Sequence, residues 1–227
     1  MPFLYEQLDT LRDFGSYTEI PPYIQENVNQ RFELRPYQIG AFENFITYFE
    51  NEKMCRKPTQ TLFHMATGSG KTMIMAGLML YLYKKGYRNF LFFVNLSNIV
   101  NKTRENFLNA LSSKYLFADE IRLNGERVQI KEVSNFQYSD DDAINICFTT
   151  TQGLHSDMWT AKENALSDDD FANKKVVFIS DEAHHLNVDT KALAKNKDEQ
   201  DNYKSWEYTV RRIFEMNKDN VLLEFTA

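Results

Sequence analysis

The chain has 227 residues, 43% hydrophobic and 26% charged, the composition of a folded domain able to bury a sizeable core. A formal net charge of −6 and a pI near 5.3 exclude bulk attraction to nucleic acid, so any such contact has to be local. Two widely separated cysteines, Cys55 and Cys147, argue against a disulfide framework or a paired-cysteine metal site. The opening residues Met1 to Glu6 lack the layout of a secretion signal, and no apolar run approaches the roughly 20 residues of a membrane span, so a cytoplasmic protein with no membrane partner is expected.

Residues 1–30 mix aromatic and acidic side chains with Gly15 and Pro21-Pro22, and read as an irregular or loosely helical lead-in with no assigned role. From Pro36 the period becomes helical: Phe42, Phe45, Ile46 and Phe49 form one apolar stripe that has to pack on a sheet. Short β-prone runs then alternate with helical stretches. They are Thr61–His64, Phe90–Val94, Ile144–Phe148, Val176–Ile179 and Val221–Phe225. Such alternation predicts an α/β fold, a mostly parallel central sheet with helices on both faces. Met73–Tyr83 is apolar nearly all round, as expected of a helix wedged against the sheet, and Trp206, Val210, Ile213 and Phe214 repeat a one-sided helical spacing. Arg127–Val133 alternates and predicts a further strand, antiparallel or at an edge, whereas the polar stretch Asn187–Lys204 reads as a surface loop.

Chemistry concentrates in two places. After the first strand comes Ala66-Thr67-Gly68-Ser69-Gly70-Lys71-Thr72, a phosphate-binding loop of the form A-x-x-G-x-G-K-T, since Met65 stands where the longer pattern wants glycine. Glycines allow close backbone approach, and amides at the helix start face the anion. Lys71 places a point charge on the β and γ phosphates, and the Thr72 hydroxyl suits Mg²⁺. Thr67, Gly68, Ser69 and Gly70 complete the expected nucleotide contacts.

The second place is Asp181-Glu182-Ala183-His184, directly after the strand Val176–Ser180. Carboxylates at a parallel strand's C-terminal end face the site crevice. Asp181 suits Mg²⁺ and Glu182 suits polarising a water for in-line attack on the γ phosphoryl group. His184 and His185 lack the partners of a zinc site and are expected to couple nucleotide state to neighbouring segments. Two acidic runs, Ser139–Asp142 and Ser167–Asp170, read as solvated turns or helix caps. Upstream, the amide of Gln38 in Leu34-Arg35-Pro36-Tyr37-Gln38 can donate and accept at once, which matches an adenine edge, with Arg35 or Tyr37 flanking the base; alone, the glutamine equally suits a solvent-facing helix start.

A-x-x-G-x-G-K-T, D-E-A-H and an R-P-Y-Q lead-in, in this order, resemble the first RecA-like lobe of a superfamily 2 helicase. Ile179–Asn187, Ser205-Trp206-Glu207 and Leu223–Ala227 are similar to the motor-nuclease subunit of type III restriction enzymes, over roughly residues 31–227. The resemblance implies a RecA-like P-loop NTPase fold, ATP and Mg²⁺ as cofactors, DNA as partner and a possible methyltransferase subunit. It assigns nucleic-acid contacts to Asn95 and Ser97 in the first segment and to Thr150, Thr151 and Gln152 in the second. Hydroxyls and amides can hold phosphate oxygens without a basic field, although Ser97 and Thr151 also suit helix capping. A nuclease-free defence helicase or an RNA-directed helicase is the alternative reading. Thr226-Ala227 resembles the start of the motif that couples hydrolysis to movement. The domain at 31–227 is therefore expected to break off within that motif, and the isolated chain to bind ATP with little turnover, because the second RecA-like lobe supplies the transition-state arginines. The short segment before Arg31 favours an arrangement in which any nuclease follows the motor.

Overall fold

The computed structural model describes residues 3–160, 162–181 and 197–227. Its strands are β1 (Thr59–His64), β2 (Asn89–Val94), β3 (Ile121–Leu123), β4 (Glu126–Glu132), β5 (Ala143–Thr150), β6 (Val176–Ser180) and β7 (Val221–Thr226). They form one sheet in the order β1-β7-β6-β2-β5-β4-β3. Every neighbouring pair from β1 to β4 is parallel, and β3 alone turns back on β4. The helices are α1 (Leu4–Asp13), α2 (Pro22–Asn27), α3 (Pro36–Glu50), α4 (Lys71–Lys84), α5 (Ser97–Leu108), α6 (Thr151–Trp159), α7 (Asp168–Ala172) and α8 (Lys197–Glu215).

Side chains of successive strand residues point to opposite faces, and that period divides the core in two. In β2, Phe90, Phe92 and Val94 join one apolar cluster while Leu91 and Phe93 join the other. The first cluster is closed by Ile24 of α2, Phe42 and Ile46 of α3, Ile74 and Leu78 of α4 and Phe107 of α5. Leu154 of α6, Phe171 of α7 and Val210, Ile213 and Phe214 of α8 close the second. Helices thus cover both faces of a mostly parallel sheet, as the alternation of elements predicts. Because the central strands β2 and β6 are buried along their whole length, they read as continuous apolar runs.

Several local expectations need correction. The lead-in, read as irregular or loosely helical, forms α1 and α2 and also enters the core: Ile24 and Val28 sit inside the first cluster, and Asn27 bridges to the Arg122 backbone with Nδ2 donating at 3.1 Å and Oδ1 accepting at 2.6 Å. Helix α8 begins at Lys197, so residues 197–204 are helical; Lys, Glu and Gln propagate a helix well, and Gly and Pro are absent from that stretch. The remainder of the expected loop, residues 187–196, lies outside the described residues. The alternating run becomes β4, paired with β5 in parallel and with β3 through Asn124-Gly125, whose φ angles of 57° and 82° suit a tight hairpin turn. Ser167 begins the cap of α7, but Asp170 is buried: its carboxylate accepts the Ser167 and Phe136 N–H groups, both at 2.9 Å.

Candidate nucleotide site and nucleic-acid edge

Parallel strands deliver their C-terminal ends to one edge, and the sequence motifs fall there in an order set by the sheet. The phosphate loop follows β1, Thr226 ends β7, Asp181 follows β6, Asn95 follows β2, and Thr150 ends β5. Asp181 therefore stands two strand spacings, about 10 Å, from the strand that launches the loop. Between them runs β7, which pairs with both: His64 opposes Thr226 and Ser180 opposes Glu224. The Thr226 carbonyl accepts the Met65 N–H at 2.9 Å, which anchors the residue from which the loop departs.

Gly68 and Gly70 have φ angles of 77° and 83°, in the left-handed region that favours glycine. Gly70 is the N-cap of α4, so the amides of Lys71 and Thr72 fall in the first turn, where the helix itself supplies no acceptors. Lys71 Nζ donates to the Met65 carbonyl at 3.2 Å and lies back over the loop's base. The Ser69 hydroxyl is buried, with no hydrogen-bond partner among the described residues. Left-handed glycines, first-turn amides with no acceptor in the helix and a hydroxyl without a described partner together suit a bound polyphosphate.

Gln38 is 6% exposed at the start of α3, and its amide makes two bonds to protein groups. Oε1 accepts the Arg35 N–H at 2.9 Å and Nε2 donates to the Ser69 carbonyl at 2.9 Å. Tyr37 donates its hydroxyl hydrogen to the same carbonyl at 2.9 Å and accepts from Arg35 Nη1 at 3.2 Å. A β-carbon on Gly70 would stand 2.4 Å from Gln38 Nε2, so glycine there serves both the turn and this close approach. Sequence reasoning placed Gln38 against adenine; the tie to the loop leaves one N–H and one lone pair for a base. Nothing in the sequence pairs positions 38 and 69. A cavity of about 1180 Å³ opens beside Thr67, Gly68, Arg35 and Tyr37 and continues along β1 and α3. Phe45 and Tyr48 of α3 also line it.

Asp181 is half-buried, with its N–H donating to the Phe93 carbonyl at 3.3 Å. Glu182 and His184 lie outside the described residues. On the far side of β6, Asn95 is half-buried, and Ser97 is exposed as the first residue of α5, whose N-cap is Leu96. The cap of α6 is Thr150 and not Thr151: Thr150 Oγ1 accepts the Gly153 N–H at 2.9 Å, while the Thr151 hydroxyl is buried without a partner among the described residues. Gln152 is exposed. The geometry thus gathers the nucleotide residues around β1 and β6, and the nucleic-acid candidates one and two strands further along the same edge.

A phosphate loop heading α4, with an acidic strand end beside it on a parallel sheet, defines the ATP-binding lobe of a helicase-type P-loop NTPase. The chain belongs to the family described as type III restriction enzyme, res subunit, whose model matches residues 31–227. It is 38% identical over 231 aligned residues to the probable type III restriction-modification enzyme HindVIP Res subunit of Haemophilus influenzae, covering 92% of this chain. The alignment spans 44% of that relative, so the chain corresponds to less than half of it. Among solved structures, the UvsW helicase from bacteriophage T4 aligns with a TM-score of 0.42 and 17% identity, over 95% of this chain and 67% of that one. No described helix is long and apolar enough to cross a membrane.

Proposed function

We propose that this chain is the first, ATP-binding lobe of a DNA translocase that serves as the restriction subunit of a type III restriction-modification system. The observation that carries the reading is the phosphate loop and Asp181 on one sheet edge, with β7 between them. Thr67, Gly68, Ser69 and Gly70 wrap the phosphates with backbone amides, and Lys71 swings from Met65 to the β and γ oxygens. Thr72 and Asp181 would hold Mg²⁺, which would supply charge neutralisation at the phosphoryl group being transferred. Glu182 takes the water-orienting role, and His184 and Thr226 the coupling roles, on the family resemblance. Gln38 and Arg35 hold the base side.

DNA runs along the same edge over Asn95, Ser97, Thr150, Thr151 and Gln152, where hydroxyls and amides contact phosphates without a basic field. A second RecA-like lobe supplies arginines to the transition state, and a methyltransferase subunit is the partner in the assembled enzyme. Residues 1–227 alone accordingly bind ATP and turn it over slowly. Calorimetric titration of the 227-residue chain with ADP and ATP, alongside a steady-state ATPase assay and competition between duplex DNA and RNA, tests this. The reading requires saturable nucleotide binding, negligible turnover and preference for DNA. Turnover comparable with a complete motor, abolished by Lys71→Ala, sinks the half-site assignment, and a preference for RNA sinks the DNA assignment.

A further inference from the structure

The Ser69 carbonyl receives two hydrogen bonds from the start of α3, one from Gln38 Nε2 and one from the Tyr37 hydroxyl, both at 2.9 Å. A carbonyl oxygen has two lone pairs, so this acceptor is saturated from one side. The Ser69–Gly70 peptide is trans, because the only cis bond among the described residues is Lys57–Pro58. In a trans peptide the C=O and the following N–H point in opposite directions. Turning the Ser69 carbonyl toward α3 therefore turns the Gly70 N–H away from α3, toward the inside of the loop. We propose that Tyr37 is a positioning residue for the phosphate site, holding the Ser69–Gly70 peptide so that the Gly70 amide faces the nucleotide phosphates.

Arg35 contributes by donating to the Tyr37 hydroxyl at 3.2 Å, which leaves that hydroxyl's hydrogen for Ser69. Tyr37 is 44% exposed and belongs to neither apolar cluster, so its substitution spares the fold. The role rests on the nucleotide site proposed above, and it differs from base stacking, which needs the ring and not the hydroxyl.

Tyr37→Phe keeps the ring and removes the hydroxyl; Tyr37→Leu removes both. The 227-residue chain and both variants are titrated with ADP and with inorganic tripolyphosphate, which carries no base. Tyr37→Phe is expected to weaken both ligands by the same factor, about three- to tenfold, the range for losing one hydrogen bond. Tyr37→Leu is expected to match it. In ¹⁵N-glycine spectra the Gly70 amide shift induced by tripolyphosphate shrinks in both variants, which a purely structural role would not cause. Wild-type affinity in Tyr37→Phe overturns the proposal, as does a loss confined to ADP in either variant. A wild-type chain that binds neither ligand overturns the nucleotide site itself, and the positioning role of Tyr37 with it.

Discussion

Asn220 Oδ1 accepts the Val176 N–H at 2.9 Å, so a side chain just before β7 completes the backbone of β6 at its first residue. Asn220 is fully buried, and its Nδ2 donates to the Phe214 carbonyl at 3.1 Å at the end of α8. The same residue's carbonyl accepts the Thr59 N–H at 3.0 Å, which starts β1. One asparagine thereby registers three of the strands that form the nucleotide edge. Asn220→Ala leaves a buried N–H orphaned, and urea denaturation should record a loss of about 1–3 kcal/mol.

Gly77 sits in α4 against α3 and α2. A β-carbon there would stand 2.5 Å from the Phe42 ring and 3.0 Å from an Ile24 methyl, and both side chains are fully buried. Alanine is the better helix former by about 1 kcal/mol, so propensity alone predicts stabilisation. Overpacking outweighs it: Gly77→Ala is expected to cost about 1–3 kcal/mol in chemical denaturation. An unchanged or raised midpoint would show that α3 can shift away.

Lys71 is half-buried and its ammonium bonds the Met65 carbonyl. Lys71→Ala should change stability by about 1 kcal/mol or less, while removing a charge-assisted contact to phosphate that is worth about tenfold or more in affinity. In thermal melts the wild-type midpoint rises with ADP; the variant's is expected to stay flat at the same concentrations. A variant that still responds fully to ADP would detach the lysine from the site.

Cys147 is buried in β5, and burial raises its thiol to about 12, with nearby Asp157, Glu132 and Asp170 adding to the effect. In the unfolded chain the thiol titrates near about 8.5. Above that pH the unfolded state releases a proton that the folded state keeps, so stability falls as pH rises from about 8.5 toward 12. Between pH 7.5 and 9.5 the loss from this group is expected to reach about 1 kcal/mol, and Cys147→Ala should lack it. Iodoacetamide at pH 8 is expected to label the partly exposed Cys55 and to spare Cys147 until urea is added.

The strands were legible in the sequence wherever burial on both faces left an uninterrupted apolar run, as in β2, β6 and β7. The loop and the acidic strand end were legible because glycine, lysine and threonine at fixed spacing have few other reasons to occur together. What escaped depends on contacts across the chain. Asn220 looks like any loop asparagine until Val176 is placed beside it, and the bond from Gln38 to Ser69 joins positions that no local pattern links. The α6 cap is ambiguous in the sequence because Thr149, Thr150 and Thr151 are alike, and only the Gly153 N–H at 2.9 Å from Thr150 Oγ1 singles one out. By contrast, Asn124-Gly125 is a hairpin signal present in the sequence, beside a β3 of only three residues that carries little strand pattern of its own.

Strand β1 lies at the end of the sheet, its outer side faces the cavity beside α3, and Leu62 on it is 57% exposed. No other described strand pairs with that side, and an open edge of this kind is a template for an extended chain. In solution this turns concentration into a variable of the 227-residue chain: crowding favours edge-to-edge association, opposed by the repulsion of a net charge of −6. High salt screens that repulsion, so dilute protein at low ionic strength is the condition under which a titration reports on monomers.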